Sequence, residues 1–173
     1  MGTTFRMFAQ LSASPSIATG VAIANPTAVA GTVTLTLYDL NGTQIATTNP
    51  PLTLPAGGQL AKFIDQLAMT PSLAGQTVQG ILRITTNLSS ISVVGLRSRL
   101  NERLPNADFL ITTTPPTLES GAPGTAERLF PHLANGDGYT TQFILFSGLA
   151  GQTSGGTLNV VAPDGTPLSL NIN

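Results

Sequence analysis

The run Thr32-Val33-Thr34-Leu35-Thr36-Leu37 alternates a hydroxyl and an aliphatic side chain at every step. Successive side chains leave a strand on opposite faces, so Val33, Leu35 and Leu37 share one buried face and the threonines the other. The run stops at Asp39-Leu40-Asn41-Gly42, where Asn-Gly supplies the positive φ of a tight hairpin turn. A returning strand over 43–48 is ended by Asn49-Pro50-Pro51, because proline cannot donate to a ladder. The same pattern places strands near 5–11, 18–24, 78–85, 91–97 and 108–113. Short strands separated by turn signals predict an all-β chain, a sandwich.

One segment departs from period two. Leu60, Phe63, Ile64 and Leu67 are spaced i, i+3, i+4, i+7 behind Pro55-Ala56-Gly57-Gly58, which predicts a short helix over 59–68 that carries the chain between sheets. Lys62 and Asp65 then face water, while Phe63 and Leu67 are buried.

The chain also resembles itself. Arg6-Met7-Phe8 through Thr19-Gly20-Val21-Ala22-Ile23 aligns without a gap with Arg128-Leu129-Phe130 through Thr141-Gln142-Phe143-Ile144-Leu145. After a one-residue slip, Thr34-Leu35-Thr36-Leu37 and Asn41-Gly42-Thr43 align with Thr157-Leu158-Asn159-Val160 and Asp164-Gly165-Thr166. Asn-Gly and Asp-Gly satisfy the same turn. The expected organisation is a sandwich over 1–114, a Thr/Pro/Gly linker over 115–126 that does not pack, and a partial second β unit over 127–173. That unit has an opening hairpin without closing strands. Its inward-alternating residues, Phe143, Leu145, Leu158 and Val160, need cover from the first unit, from another chain or from further sequence. They are the expected assembly residues.

Composition narrows the function. Of 173 residues 41% are hydrophobic, enough for a core, and only 9% are charged, with Thr, Ser, Asn, Gly and Pro in their place. At a formal net charge of −1, with seven Lys plus Arg spread along the chain, there is no basic patch for nucleic acid. Without cysteine there is no disulfide framework and no thiolate chemistry. No apolar run is long enough to cross a membrane, and Met1-Gly2-Thr3-Thr4 does not open a signal peptide. The chain reads as a mature product or as a window of a longer protein.

Several ordered motifs carry a resemblance: Gly20-Val21-Ala22-Ile23-Ala24-Asn25-Pro26, Val94-Gly95-Leu96-Arg97, Asn101-Glu102-Arg103 and Asp108-Phe109-Leu110-Ile111-Thr112-Thr113-Thr114-Pro115. They are similar to repeat modules of large secreted bacterial surface proteins. Phe130-Pro131 and Asn135-Gly136-Asp137-Gly138-Tyr139-Thr140-Thr141-Gln142 resemble the sister module that alternates with them. The resemblance implies an immunoglobulin-like β-sandwich, an extracellular or cell-surface setting and no enzymatic residues.

No catalytic, cofactor or metal residue is expected. His132 has no cysteine or second histidine to build a zinc site, and no Gly-x-Ser-x-Gly elbow presents a nucleophile. Asn135-Gly136-Asp137-Gly138 and Asp164-Gly165 read as turn formers rather than calcium loops. Arg97, Arg99, Glu102, Arg103 and Asp108 form the densest charge cluster, read as ion pairs and Arg-to-carbonyl bonds that pin a loop. Asn41-Gly42-Thr43 and Asn87-Leu88-Ser89 are glycosylation sequons that turns would contain anyway. The reading is a non-catalytic structural or adhesive module that self-associates, in tandem arrays or filaments, by strand complementation. The alternative is a carbohydrate-binding accessory domain, weakened by the absence of Trp and the presence of only Tyr38 and Tyr139.

Overall fold

The computed structural model describes residues 1–14, 16–101, 108–119, 129–130, 133–134, 141–145 and 157–168. It falls into two compact units, Met1–Ala122 and Pro123–Asn173.

The first unit is all-β and antiparallel, with eleven strands in one hydrogen-bonded sheet. Its plan follows from a hairpin that splits. β1 (Thr4–Ala13) and β2 (Ser16–Ala24) pair only at Leu11↔Ala18, Ser12↔Ile17 and Ala13↔Ser16. Beyond that fork β1 runs against β8 (Val78–Thr86), from Leu11↔Val78 to Thr4↔Thr85. β2 runs instead against β9 (Ser92–Asn101), from Ile17↔Arg99 to Ala24↔Ser92. Each partner leaves the other's edge open, and a short strand fills each vacancy. β11 (Thr117–Leu118) pairs with β1 at Phe5 and Arg6, and β6 (Gln59–Phe63) pairs with β2 from Gly20 to Ala24.

One limb continues from β8 to β3 (Gly31–Tyr38), then to β4 (Gln44–Thr48) and β7 (Met69–Thr70), with β5 (Leu52–Leu54) also against β3. The other limb ends with β10 (Asp108–Thr114) against β9. Alternate residues of both limbs enter one core: Met7, Ala9 and Leu11, Val21 and Ile23, Val33, Leu35 and Leu37, Leu82 and Ile84. A fully buried aliphatic side chain of this size contributes about 1.5–3 kcal/mol. The fork itself is closed by a side chain, since Thr19 Oγ1 accepts the Gln10 amide at 2.8 Å where no strand stands opposite.

Two expectations are corrected. The helix expected over 59–68 is strand β6 followed by a single 3-10 turn, Ile64–Gln66. A five-residue stretch beside an open sheet edge gains a ladder of main-chain hydrogen bonds that a short isolated helix cannot match. The apolar stripe survives in altered form. Ile64 and Leu67 enter the core, Phe63 is half-buried over the sheet, and Lys62 is exposed. The linker expected over 115–126 packs at its start, because Thr117–Leu118 forms β11 and the Glu119 side chain is 7% exposed between Arg6 and Arg83.

In the second unit no strand covers the described segments 141–145 and 157–160, although Leu168 N donates to Val160 O at 2.8 Å across the expected hairpin. Its turn does form. Ala162 N donates to Thr166 O at 2.8 Å and Gly165 N to Ala162 O at 2.9 Å, with Val161 bridged to Pro167. The first unit has the same bonds at Asp39 N to Thr43 O, 2.8 Å, and Gly42 N to Asp39 O, 3.1 Å, with Tyr38 opposite Gln44. Gly42 has φ of 88° and Gly165 of 85°, the left-handed region that only glycine enters freely.

Candidate assembly surface

β10 is the most exposed long element of the first unit. All seven residues pair with β9, from Asp108↔Asn101 to Thr114↔Gly95, and among the described residues nothing pairs with its other side. Alternate amides and carbonyls therefore face outward as a template for another strand. Edges are normally blunted by shortness, proline or lysine. β7 is two residues long and β6 carries Lys62, but Asp108-Phe109-Leu110-Ile111-Thr112-Thr113-Thr114 has neither proline nor lysine.

Its side chains are as open as its backbone. Phe109 is 59% exposed, Leu110 50% and Ile111 55%. Three apolar residues in succession put Phe109 and Ile111 on one face and Leu110 on the other. Phe109 is steadied by an edge-to-face contact with Phe63 at 6.5 Å between ring centroids, which leaves most of its ring free. Sequence reading located this strand but not its openness. The signal was available in the unbroken Phe109-Leu110-Ile111, since a strand covered on one face alternates.

The four expected assembly residues are divided. Phe143 and Val160 are half-buried, and Phe143 packs edge to face on Phe130 at 5.0 Å. Leu145 is 79% and Leu158 50% exposed. No described contact joins the four into one surface. In the neighbouring turn the Thr166 amide and hydroxyl both donate to Asp164 Oδ1, at 3.0 and 2.7 Å, and hold that carboxyl below the ordinary aspartate value. This is the turn-forming role expected of Asp164-Gly165.

Other singled-out residues have quieter environments. Arg97 Nη2 donates to Gln10 Oε1 at 3.1 Å, a neutral acceptor rather than an acid of its own cluster. Arg99 and Asp108 are exposed, and Glu102 and Arg103 lie outside the described residues, as do His132 and Asn135-Gly136-Asp137-Gly138. Asn87 Oδ1 accepts the Thr32 amide at 2.7 Å, so that sequon asparagine pins a turn, while Asn41 is exposed at the tip of the β3–β4 hairpin.

A recess of about 200 Å³ opens beside the fork between β1 and β2, lined in part by Leu11, Ile17, Leu73 and Gln76. Asp65 lines it too, and its Oδ1 is buried without a hydrogen-bond partner. Among the described residues that line it there is no histidine and no second acid. Among the described residues no three His, Asp or Glu side chains gather as metal ligands, and no helix is long and apolar enough to cross a membrane.

No protein-family model and no curated protein matches the chain. Two solved structures are similar to it. The crystal structure of Thermotoga maritima 1070 shares 13% identity at a TM-score of 0.44, covering 65% of this chain and 90% of that one. The Anabaena sensory rhodopsin transducer shares 21% identity at 0.43, covering 60% and 93%.

Proposed function

We propose that this chain is a non-catalytic, extracellular structural module, of immunoglobulin-like sandwich architecture, that joins other copies of itself. The observation that carries the reading is the β10 edge, whose outer main-chain side nothing pairs with among the described residues and which shows three exposed apolar side chains in succession. Two sheet limbs sharing one core support the sandwich. The neutral, hydroxyl-rich composition and the motif resemblance to secreted surface modules support the extracellular setting. The matching Asn41-Gly42 and Asp164-Gly165 turns support descent of both units from one repeat, and the exposed Leu145 and Leu158 support completion of the second unit by strands from outside it.

The test is the mass in solution. Sedimentation velocity across a concentration series, with electron micrographs of the same samples, should show species above 17.8 kDa that grow with concentration. A single species of that mass at the highest concentration, with no assembled particles in the micrographs, overturns the reading.

A further inference from the structure

We infer that two copies join edge to edge through β10, antiparallel about a twofold axis at Ile111. This rests on the self-association proposed above and names its interface.

The argument begins with the ladder. In an antiparallel pair, facing residues either both send their amide and carbonyl toward each other or both send them away. When a strand meets its own copy, only registers in which one residue faces itself satisfy this rule. Among these, centring on Ile111 uses all seven residues of Asp108–Thr114, whereas centring on Leu110 leaves five facing pairs within the strand. The longer ladder satisfies more of the edge.

Side-chain chemistry suits the same register. Ile111 meets Ile111 of the copy, Phe109 meets Thr113, Leu110 meets Thr112 and Asp108 meets Thr114. The single charge of the strand faces a hydroxyl and never its like, and aromatic or aliphatic groups face threonine methyls, the pairings that stabilise cross-strand neighbours. A register centred on Asp108 would place two carboxylates in contact. The pairing is isologous, so it closes as a dimer and leaves other surfaces to propagate any array.

The experiment uses the whole chain. It has no cysteine, so a single introduced thiol reports one position. Directly facing residues have Cα atoms roughly 4.5–5.5 Å apart, within disulfide range. Oxidised Ile111→Cys should therefore form a covalent dimer, while Thr113→Cys, four residues from its own copy across the axis, should form no covalent dimer. Ile111→Lys should lower the mass of the wild-type assembly by disrupting this edge, with its circular dichroism unchanged; should that variant not fold, the cysteine pair decides. Cross-linking of Leu110→Cys in place of Ile111→Cys overturns the register. An associating wild type whose mass Ile111→Lys leaves unchanged, and whose Ile111→Cys does not cross-link, overturns the interface while self-association stands. A monomeric wild type overturns both.

Discussion

Arg6 of β1 and Arg83 of β8 stand directly opposite each other in the ladder, two like charges at the closest cross-strand position. Such a pair is destabilising on its own. Glu119 resolves it. Its Oε2 accepts Arg6 Nε at 3.1 Å and Arg83 Nε at 2.9 Å, and its Oε1 accepts Arg83 Nη2 at 3.3 Å. One carboxylate thus closes the ladder and fastens β11 to β1. Glu119→Ala removes the carboxylate that largely buried Arg6 shares with Arg83 and should cost about 3 kcal/mol in denaturant unfolding. A loss below about 0.5 kcal/mol would show that the triad is idle.

The same group gives a pH dependence. Burial alone would raise the Glu119 carboxyl, but hydrogen bonds from Arg83 and Arg6 outweigh it and hold the group below the ordinary glutamate value. A carboxyl depressed on folding stabilises fully above its unfolded value, and that contribution is lost as pH falls through the folded one. Unfolding free energy measured downward from neutrality should therefore fall in the acid range below the ordinary glutamate value, and Glu119→Gln should flatten that fall. An identical acid profile for both proteins would contradict the assignment.

Gly80 sits in β8 where the ladder between β3 and β4 shifts register at Tyr38. A Cβ on Gly80 would meet the Tyr38 carbonyl oxygen, a backbone atom with no rotamer by which to yield. Gly80→Ala should cost about 1–3 kcal/mol, the range for forcing extra atoms into a packed site. Unchanged thermal unfolding would mean that the strand shifts freely.

How much of this was legible in the sequence follows from what each feature depends on. The β3–β4 hairpin is written locally, in the alternation of Val33, Leu35 and Leu37 and in Asn41-Gly42, and it stands where expected. β6 is not local. Gln59–Phe63 extends only because the fork of the first hairpin exposes Gly20–Ala24, and the spacing of Leu60, Phe63, Ile64 and Leu67 looks the same for a helix or for a strand ending in a 3-10 turn. β10 was legible as a strand, but its place at the end of the order depends on which strands pair with β9. The pin at Glu119 was hidden for a similar reason, since Arg6 and Arg83 become neighbours only through the β1–β8 register.

Thr19 offers a test of the fork. It is buried, and its hydroxyl accepts the Gln10 amide where β1 and β2 part. Thr19→Val keeps the shape and removes the acceptor, leaving the amide unsatisfied at a cost of about 1–3 kcal/mol. Hydrogen exchange at the Gln10 amide should quicken more than at Met7. Equal protection of Gln10 in both proteins would mean that another group takes the bond.

Asn25, the last residue before Pro26, is 2% exposed and ties three segments together. Its Nδ2 donates to Val29 O and to Pro55 O, each at 2.8 Å, while its Oδ1 accepts the Thr27 amide at 3.0 Å and the Thr27 hydroxyl at 2.7 Å. The end of β2, the loop after it and the entry to β6 therefore share one side chain. Proline at 26 cannot donate, so the loop depends on side-chain bonds for its shape. Asn25→Ala strands the Pro55 carbonyl and the Thr27 amide, while Val29 O keeps the Thr27 hydroxyl at 3.0 Å, and the cost should be about 2–4 kcal/mol, above that of a single lost bond. Asn25→Asp keeps the acceptor and removes both donors, and should recover only part of the loss. Asp matching wild type in urea midpoint would show that the two carbonyl bonds contribute nothing and that the turn at Thr27 alone holds the segment.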